Sequence, residues 1–265
     1  MIDFIYWENL IKAEYDAKRV GIIPKAKTLV KFGQNTDLGT AGTVKTVMEL
    51  FGTEVEENYA TDNVINRIVS DDAANTQLCA IEGHTLNDGD LTFVRQTATL
   101  NGQTPVELET PLARCTRVEN IDSTYLAANS TVYVYRSTSA VSSGVPQADN
   151  EIHCSMIAGR DKSLKASTSI SSTDAWIITG FIGGINKGSG NAVVDFDVEY
   201  RHLGEVFTPE FLAPCNTNGS SNAVIPFPVP LLIGPNADVR VQASSTANGT
   251  SVTANLFGYL ARLTF

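Results

Sequence analysis

The sequence predicts a mainly β protein. Its C-terminal part reads as an antiparallel, jelly-roll-like β-sandwich, preceded by a smaller β subdomain, an extended arm and an N-terminal helix. Three observations lead there. Apolar and polar residues alternate with period two in "AVVDFDVEYR", "ADVRVQA" and "NLFGYLARLTF", the signature of half-buried strands. Turn-forming pairs such as Asp88-Gly89 and Asn101-Gly102 separate β-rich runs. Helical spacing is clearest in one segment, near the start.

That segment is residues 3–19. Asp3 can cap a helix, and Phe4, Trp7, Ile11 and Tyr15 recur at three- and four-residue steps until Gly21 and Pro24 end the pattern. The stripe is a candidate docking face for a neighbouring subunit or for the core. Residues 24–75 lack a sustained period, which suits an arm with short strands laid over a larger body or over another subunit. The helix and arm together make up 1–75. Glu54, Glu56 and Glu57 offer no mixed ligand set and read as a solvated cluster.

Residues 76–138 form the small β subdomain. "QLCAIEG" is a short strand and "NDGD" a turn. Leu91–Leu100 runs through Asn101-Gly102 into a returning strand at Pro105–Thr110, giving a polar hairpin, and "STVYVYRS" is a further strand. The Ser-, Gly- and Pro-rich residues 139–150 read as a linker.

Residues 151–265 are the sandwich. "AWIITGFIGGI" is apolar on both faces, as a central strand is, and "GGINKGSGN" reads as the hairpin loop after it. Val194, Phe196, Val198 and Tyr200 face one way, and Asp195, Asp197, Glu199 and Arg201 the other. In the same way Val239 and Val241 point inward, with Asp238, Arg240 and Gln242 outward. "IPFPVPLLIGP" carries prolines at 226, 228, 230 and 235. They remove ladder donors, so the piece is an edge strand, an arm or a crossing loop.

The charge of −10 argues against direct nucleic-acid binding, which needs clustered cations. No stretch approaches the ~18 apolar residues of a membrane span. The opening residues lack the features of a secretory signal, so synthesis in a cytosol is expected. Cys79, Cys115, Cys154 and Cys215 lack C-x-x-C spacing. They read as buried thiols or, alternatively, as disulfide cysteines that pair within or between subunits outside the cytosol.

Candidate chemistry is thin. Asp195, Asp197 and Glu199 have a spacing open to paired-carboxylate catalysis, but strand alternation explains them fully. Residues 183–191 do not fit a phosphate-binding loop, and His84, His153 and His202 form no recognisable motif. No cofactor or metal is expected. The profile fits an assembly protein better than an enzyme.

Several segments in order also resemble a known group. "LVKFGQNTDLGTAGT" resembles an N-terminal "K-F-G-(R/Q)-N-x-D-x-G-T" segment, and "IVSDDAANT" the segment after it. "QTATLNGQTPVELETPLARCTRV", "AWIITGFIGGINKGSGNAVVDFDVEYRHLGEVF" and "ADVRVQASSTANGTSVTANLFGYL" resemble later parts of the same series. The group is a family of tailed-bacteriophage virion structural proteins. The "Y-x-I-P-A-G" turn common in it is replaced before Trp176 by "SISSTDA". The resemblance implies a non-enzymatic, homo-oligomeric accessory protein of the head (decoration or cement) or of the neck or collar. Its partners would be other virion proteins such as capsid, portal or neck proteins, and its location the particle. The alternative is a tail-fibre or receptor- and glycan-binding module using the loops at 184–191 or 216–223.

Overall fold

The structure, a computed structural model, describes residues 27–48 and 59–263; at 188–189 and 217–220 it describes the backbone alone. The helix expected over 3–19, with Phe4, Trp7, Ile11 and Tyr15, lies outside the described residues, as do Glu54, Glu56 and Glu57. In chain order the strands are β1 (Lys27–Asn35), β2 (Lys45–Thr46), β3 (Ile65–Ser70), β4 (Leu78–Asn87), β5 (Asp90–Thr99), β6 (Val106–Leu112), β7 (Arg114–Asn120) and β8 (Thr131–Arg136). They continue with β9 (Val141–Ser142), β10 (Val145–Pro146), β11 (Ile152–Ile157), β12 (Ser167–Ile170), β13 (Asp174–His202), β14 (Thr208–Ile233), β15 (Ala237–Ser245) and β16 (Ser251–Arg262). All of the strand pairings are antiparallel.

β13 and β14 form a long two-stranded ribbon that organises the first sandwich. On its other edge β13 pairs with β16 from Asp174 to Asn186 and with β15 from Val194 to His202. The ladder between β13 and β14 breaks between Asn186 and Asn191, where the ribbon folds over. Phe181 and Phe196, on opposite sides of that fold, meet with ring centroids 5.4 Å apart. One layer is therefore β1–β16–β13–β14, and the layer facing it is β12–β15–β13–β14 with β2 beside β15. Trp176, Ile178, Phe181, Val194, Phe196, Val241 and Leu256 fill the space between. Each such side chain contributes about 1.5–3 kcal/mol by leaving water.

"GGINKGSGN" is thus not a hairpin loop. The residues flanking it both pair with β14 and not with each other. A run with few bulky side chains lets the ribbon bend. The proline-rich segment falls in β14, whose one strand partner among the described residues is β13.

A second sandwich is inserted into the first. Its four-stranded sheet is β11–β8–β3–β6 and its three-stranded sheet β5–β4–β7. Ile65, Ile68, Ile81, Leu112, Val118, Val132, Val134 and Met156 pack between them. β8 is buried on both faces, because Tyr133 and Tyr135 lie under Val141 and Val145 of the β9–β10 hairpin. Residues 139–150 are therefore no break between domains: they join β8 to β11, which are ladder neighbours. Likewise, residues 27–35 of the expected arm are a full strand of the first sandwich, and residues 65–70 a strand of the second.

The Asn101-Gly102 segment differs from expectation too. β5 pairs with β4, and β6 with β3, so this stretch crosses from one sheet to the other. The Gln96 amide holds the crossing together. It accepts from the Thr110 N–H at 2.9 Å and donates to the Thr110 carbonyl at 2.7 Å, replacing a ladder that β5 and β6 do not form. Gly102 has φ 56° and sits against the Ala73 backbone, where a side chain has no room.

The insertion point is compact. β2 and β12 run along β15 in one line, β2 opposite Gln242 and Ala243, β12 opposite Ala237 to Arg240. The chain leaves that line after Val47 and rejoins it at Ala166, whose N–H donates to the Val47 carbonyl at 3.0 Å. Gly33 of β1 crosses directly over this junction. A Cβ there would collide with the Val47 carbonyl and with Ala166.

Candidate functional site

Both outer faces of the first sandwich, and a cleft at its end, bear on function. On the β12–β15–β13–β14 layer the outward side chains are charged: Asp195, Asp197, Glu199 and Arg201 on β13, and Asp238 and Arg240 on β15. The expectation that Asp238, Arg240 and Gln242 meet solvent is overturned. All three are buried, and Asp238 is 0% exposed. The inserted sandwich supplies the reason. Arg114 of β7 reaches Asp238 with two nearly parallel bonds of 2.9 and 3.0 Å. Arg201 adds bonds of 3.3 and 3.2 Å, and the Ser169 hydroxyl donates at 2.7 Å. This fork geometry is the strong form of an ion pair. The Arg201 guanidinium also stacks 4.6 Å from the Tyr59 ring centroid and 4.5 Å from that of Phe207. Arg240 bonds Glu199 at 2.8 Å. Glu199 is thus committed to structure, while burial and then the Glu199 and Asp195 carboxylates push the Asp197 pKa up. The charged face is a joint.

The outer face of the β1–β16–β13–β14 layer is the opposite in character. Register places Phe32, Asn255, Ile182 and Val224 in one row across the four strands. Thr28, Tyr259, Ile177 and Leu232 form another, and between them Val30 lies opposite Phe257. None of these positions is charged. Val224 is 66% and Leu232 65% exposed, and Val30 and Phe32 are also open to solvent. At the rim, the second half of β14 carries prolines at 226, 228 and 230, which blunt it against strand addition.

The cleft lies where β1 and the end of β16 meet the inserted sandwich, with a volume of about 700 Å³. Lys31, Glu82, His84, Phe93 and Thr116 line it, together with residues 171–174. Lys31 is 9% exposed, and its ammonium donates to the Thr116 carbonyl at 3.3 Å. Burial lowers its pKa to about 8, partly offset by Glu82. Burial and then the Lys31 charge push the His84 pKa down to about 3, so this imidazole is neutral at pH 7. Sequence reasoning missed Lys31, which alternates like an ordinary strand residue, and placed His84 in no motif.

The four candidate disulfide cysteines, Cys79, Cys115, Cys154 and Cys215, are free and buried. Cys115 and Cys154 share a hydrogen bond, which together with burial pushes the Cys115 thiol up; burial raises Cys79 to about 12. A thiol held protonated by burial, as Cys79 is, is poorly reactive, whereas the hydrogen bond with Cys115 pulls the Cys154 thiol down. Among the described residues no group of His, Cys, Asp and Glu is placed to hold a metal ion, and no helix is long and apolar enough to cross a membrane. Residues 184–191 and 216–223, the expected glycan loops, fall at and beside the fold in the ribbon.

No family model and no curated protein matches the chain. Solved structures give faint likenesses. The tandem CBM22-1–CBM22-2 domain of Paenibacillus barcinonensis Xyn10C is 11% identical over 88% of this chain and 93% of that one, with a TM-score of 0.23. A Bacillus thuringiensis Cry1Da tryptic core variant is 8% identical over 77% and 52%, with a TM-score of 0.23. The structure of the Gt strain of infectious bursal disease virus is 11% identical over 90% and 72%, with a TM-score of 0.22. TM-scores this low carry no argument about fold or role.

Proposed function

We propose that the chain is a non-enzymatic structural subunit of a tailed-bacteriophage particle, a head decoration or a neck or collar component that assembles with copies of itself. The observation that carries this reading is the uncharged, partly apolar face of the first sandwich. Copies with a net charge of −10 repel each other, and this face is a broad surface on which two of them can meet without opposing like charges. Four strands of about nine residues span roughly 600 Å² in plan, near the upper end of the patches found on monomers. One such contact is modest, and a particle presenting many copies multiplies it.

Two further observations support the reading. One is the ordered series of segments resembling phage virion proteins. The other is the strand order: β1, β16, the first half of β13 and the second half of β14 face β2 with β12, β15, the second half of β13 and the first half of β14. We read this as an eight-stranded jelly roll, an architecture used by capsid and lectin domains.

The test is the mass of the full chain in solution by light scattering, alone and as a Val30→Glu, Val224→Glu double variant. The expected result is a concentration-dependent oligomer that the double variant abolishes. A wild-type chain that stays monomeric at about 100 μM, or a variant that assembles unchanged, overturns the docking face. Locating the chain by electron cryo-microscopy of particles that carry it tests the virion reading separately.

A further inference from the structure

We propose that the cleft between the two sandwiches is a binding site for a sugar that bears a carboxylate, such as the acidic terminal residue of a glycan. The inference is independent of the assembly face, which looks outward from the other side of the layer.

The floor of the cleft is Lys31. An ammonium has three donors, and here one of them is used, in a long bond to the Thr116 carbonyl. Among the described residues Lys31 forms no ion pair, although it is nine-tenths buried. A buried cation without a counter-ion is costly to the fold. A carboxylate entering the cleft supplies that counter-ion. Lys27 and Arg262 line the same cleft, so three cations face it against the carboxylates of Glu82 and Asp174. Glu82 is already drawn to Arg95 at 3.3 Å. On a chain with ten more acids than bases, this is a local excess of positive charge.

The remaining lining suits a sugar ring better than a bare anion. Phe93 is 50% exposed beside the cleft, and its ring is held edge-on by His84 with centroids 5.7 Å apart. A fixed, half-exposed aromatic offers a platform for the apolar face of a pyranose. Thr92 and Ser172 bring hydroxyls to the same opening, matching the ring's own hydroxyls as donors and acceptors. The volume of about 700 Å³ lies within the range of small-molecule sites.

The experiment is ligand-observed NMR and calorimetry on the full chain with sialyllactose, a glucuronic-acid disaccharide, neutral lactose and inorganic phosphate. At least one acidic sugar is expected to bind at least about tenfold more tightly than lactose or phosphate, a difference of one ion pair. Lys31→Met is expected to weaken it about tenfold or more while the chain stays folded. Phe93→Ala, a surface change that leaves the core intact, is expected to weaken it as well. No binding of either acidic sugar at about 10 mM overturns the proposal. So does phosphate that competes equally, which makes the cleft a plain anion site, or unchanged binding by Lys31→Met.

Discussion

The two outer faces of the first sandwich reverse the usual expectation. The face rich in Asp, Glu and Arg is the covered one, and the face of Val, Phe, Ile and Leu is the open one. Charge is tolerated under cover because it is matched: Asp238 receives Arg114, Arg201 and Ser169, and Glu199 receives Arg240. Apolar area left in water is instead a standing free-energy gain for any partner that covers it. Residue type along a strand therefore tells which side chains share a face, and not which face meets solvent.

Three changes test this contrast, the first with the largest expected effect. Asp238→Ala strands Arg114, itself nearly buried, without its partner. It is expected to cost about 3–5 kcal/mol, read as a lower urea midpoint. A loss below about 1 kcal/mol breaks the contrast, because the charged joint would then resemble an ordinary surface pair.

Lys31→Met probes a buried charge that lacks such matching. The Lys31 pKa falls from 10.5 unfolded to about 8 folded. Between those values the unfolded chain binds more protons, so stability rises as pH climbs through this window, and the penalty is fully present below it. The gap corresponds to about 3 kcal/mol. Lys31→Met is expected to be the more stable protein at pH 7, with the difference shrinking by pH 10. Urea melts at the two pH values measure it. A variant less stable than wild type at pH 7 would show that Lys31 is matched after all.

Val224→Glu on the open face is expected to shift stability by no more than about 0.5 kcal/mol, since none of the described residues packs over that position. A larger loss in thermal melts would mean that the face is covered from within the chain.

Much of the fold was legible in the sequence. The alternation in "AVVDFDVEYR" places Val194, Phe196 and Val198 in the core as expected, and the turn in "NDGD" has Asp88 and Gly89 at positive φ. What was not legible is pairing between distant segments. Nothing local in "GGINKGSGN" says that its two flanks share one neighbour, β14, more than twenty residues away. Nothing in "QTATLNGQTPVELET" says that Gln96 clamps Thr110 where a ladder is expected. Lys31 follows a valine in a strand and looks like any exposed lysine; its burial depends on Thr116, which is distant in sequence. The charged joint was hidden for the same reason, since Arg114 and Asp238 are separated by most of the second half of the chain.

The junction at Val47 and Ala166 has one further consequence. Because the chain departs from and rejoins a single strand line at neighbouring points, the inserted sandwich behaves as a cassette. Its length and its surface away from the Arg114–Asp238 joint can be rewritten without shifting the register of β15 against β2 and β12. Evolution and engineering therefore have here a socket as well as a scaffold, whose fixed requirements are a closely spaced pair of ends, a glycine at position 33 to let β1 pass and a cation placed like Arg114 to meet Asp238.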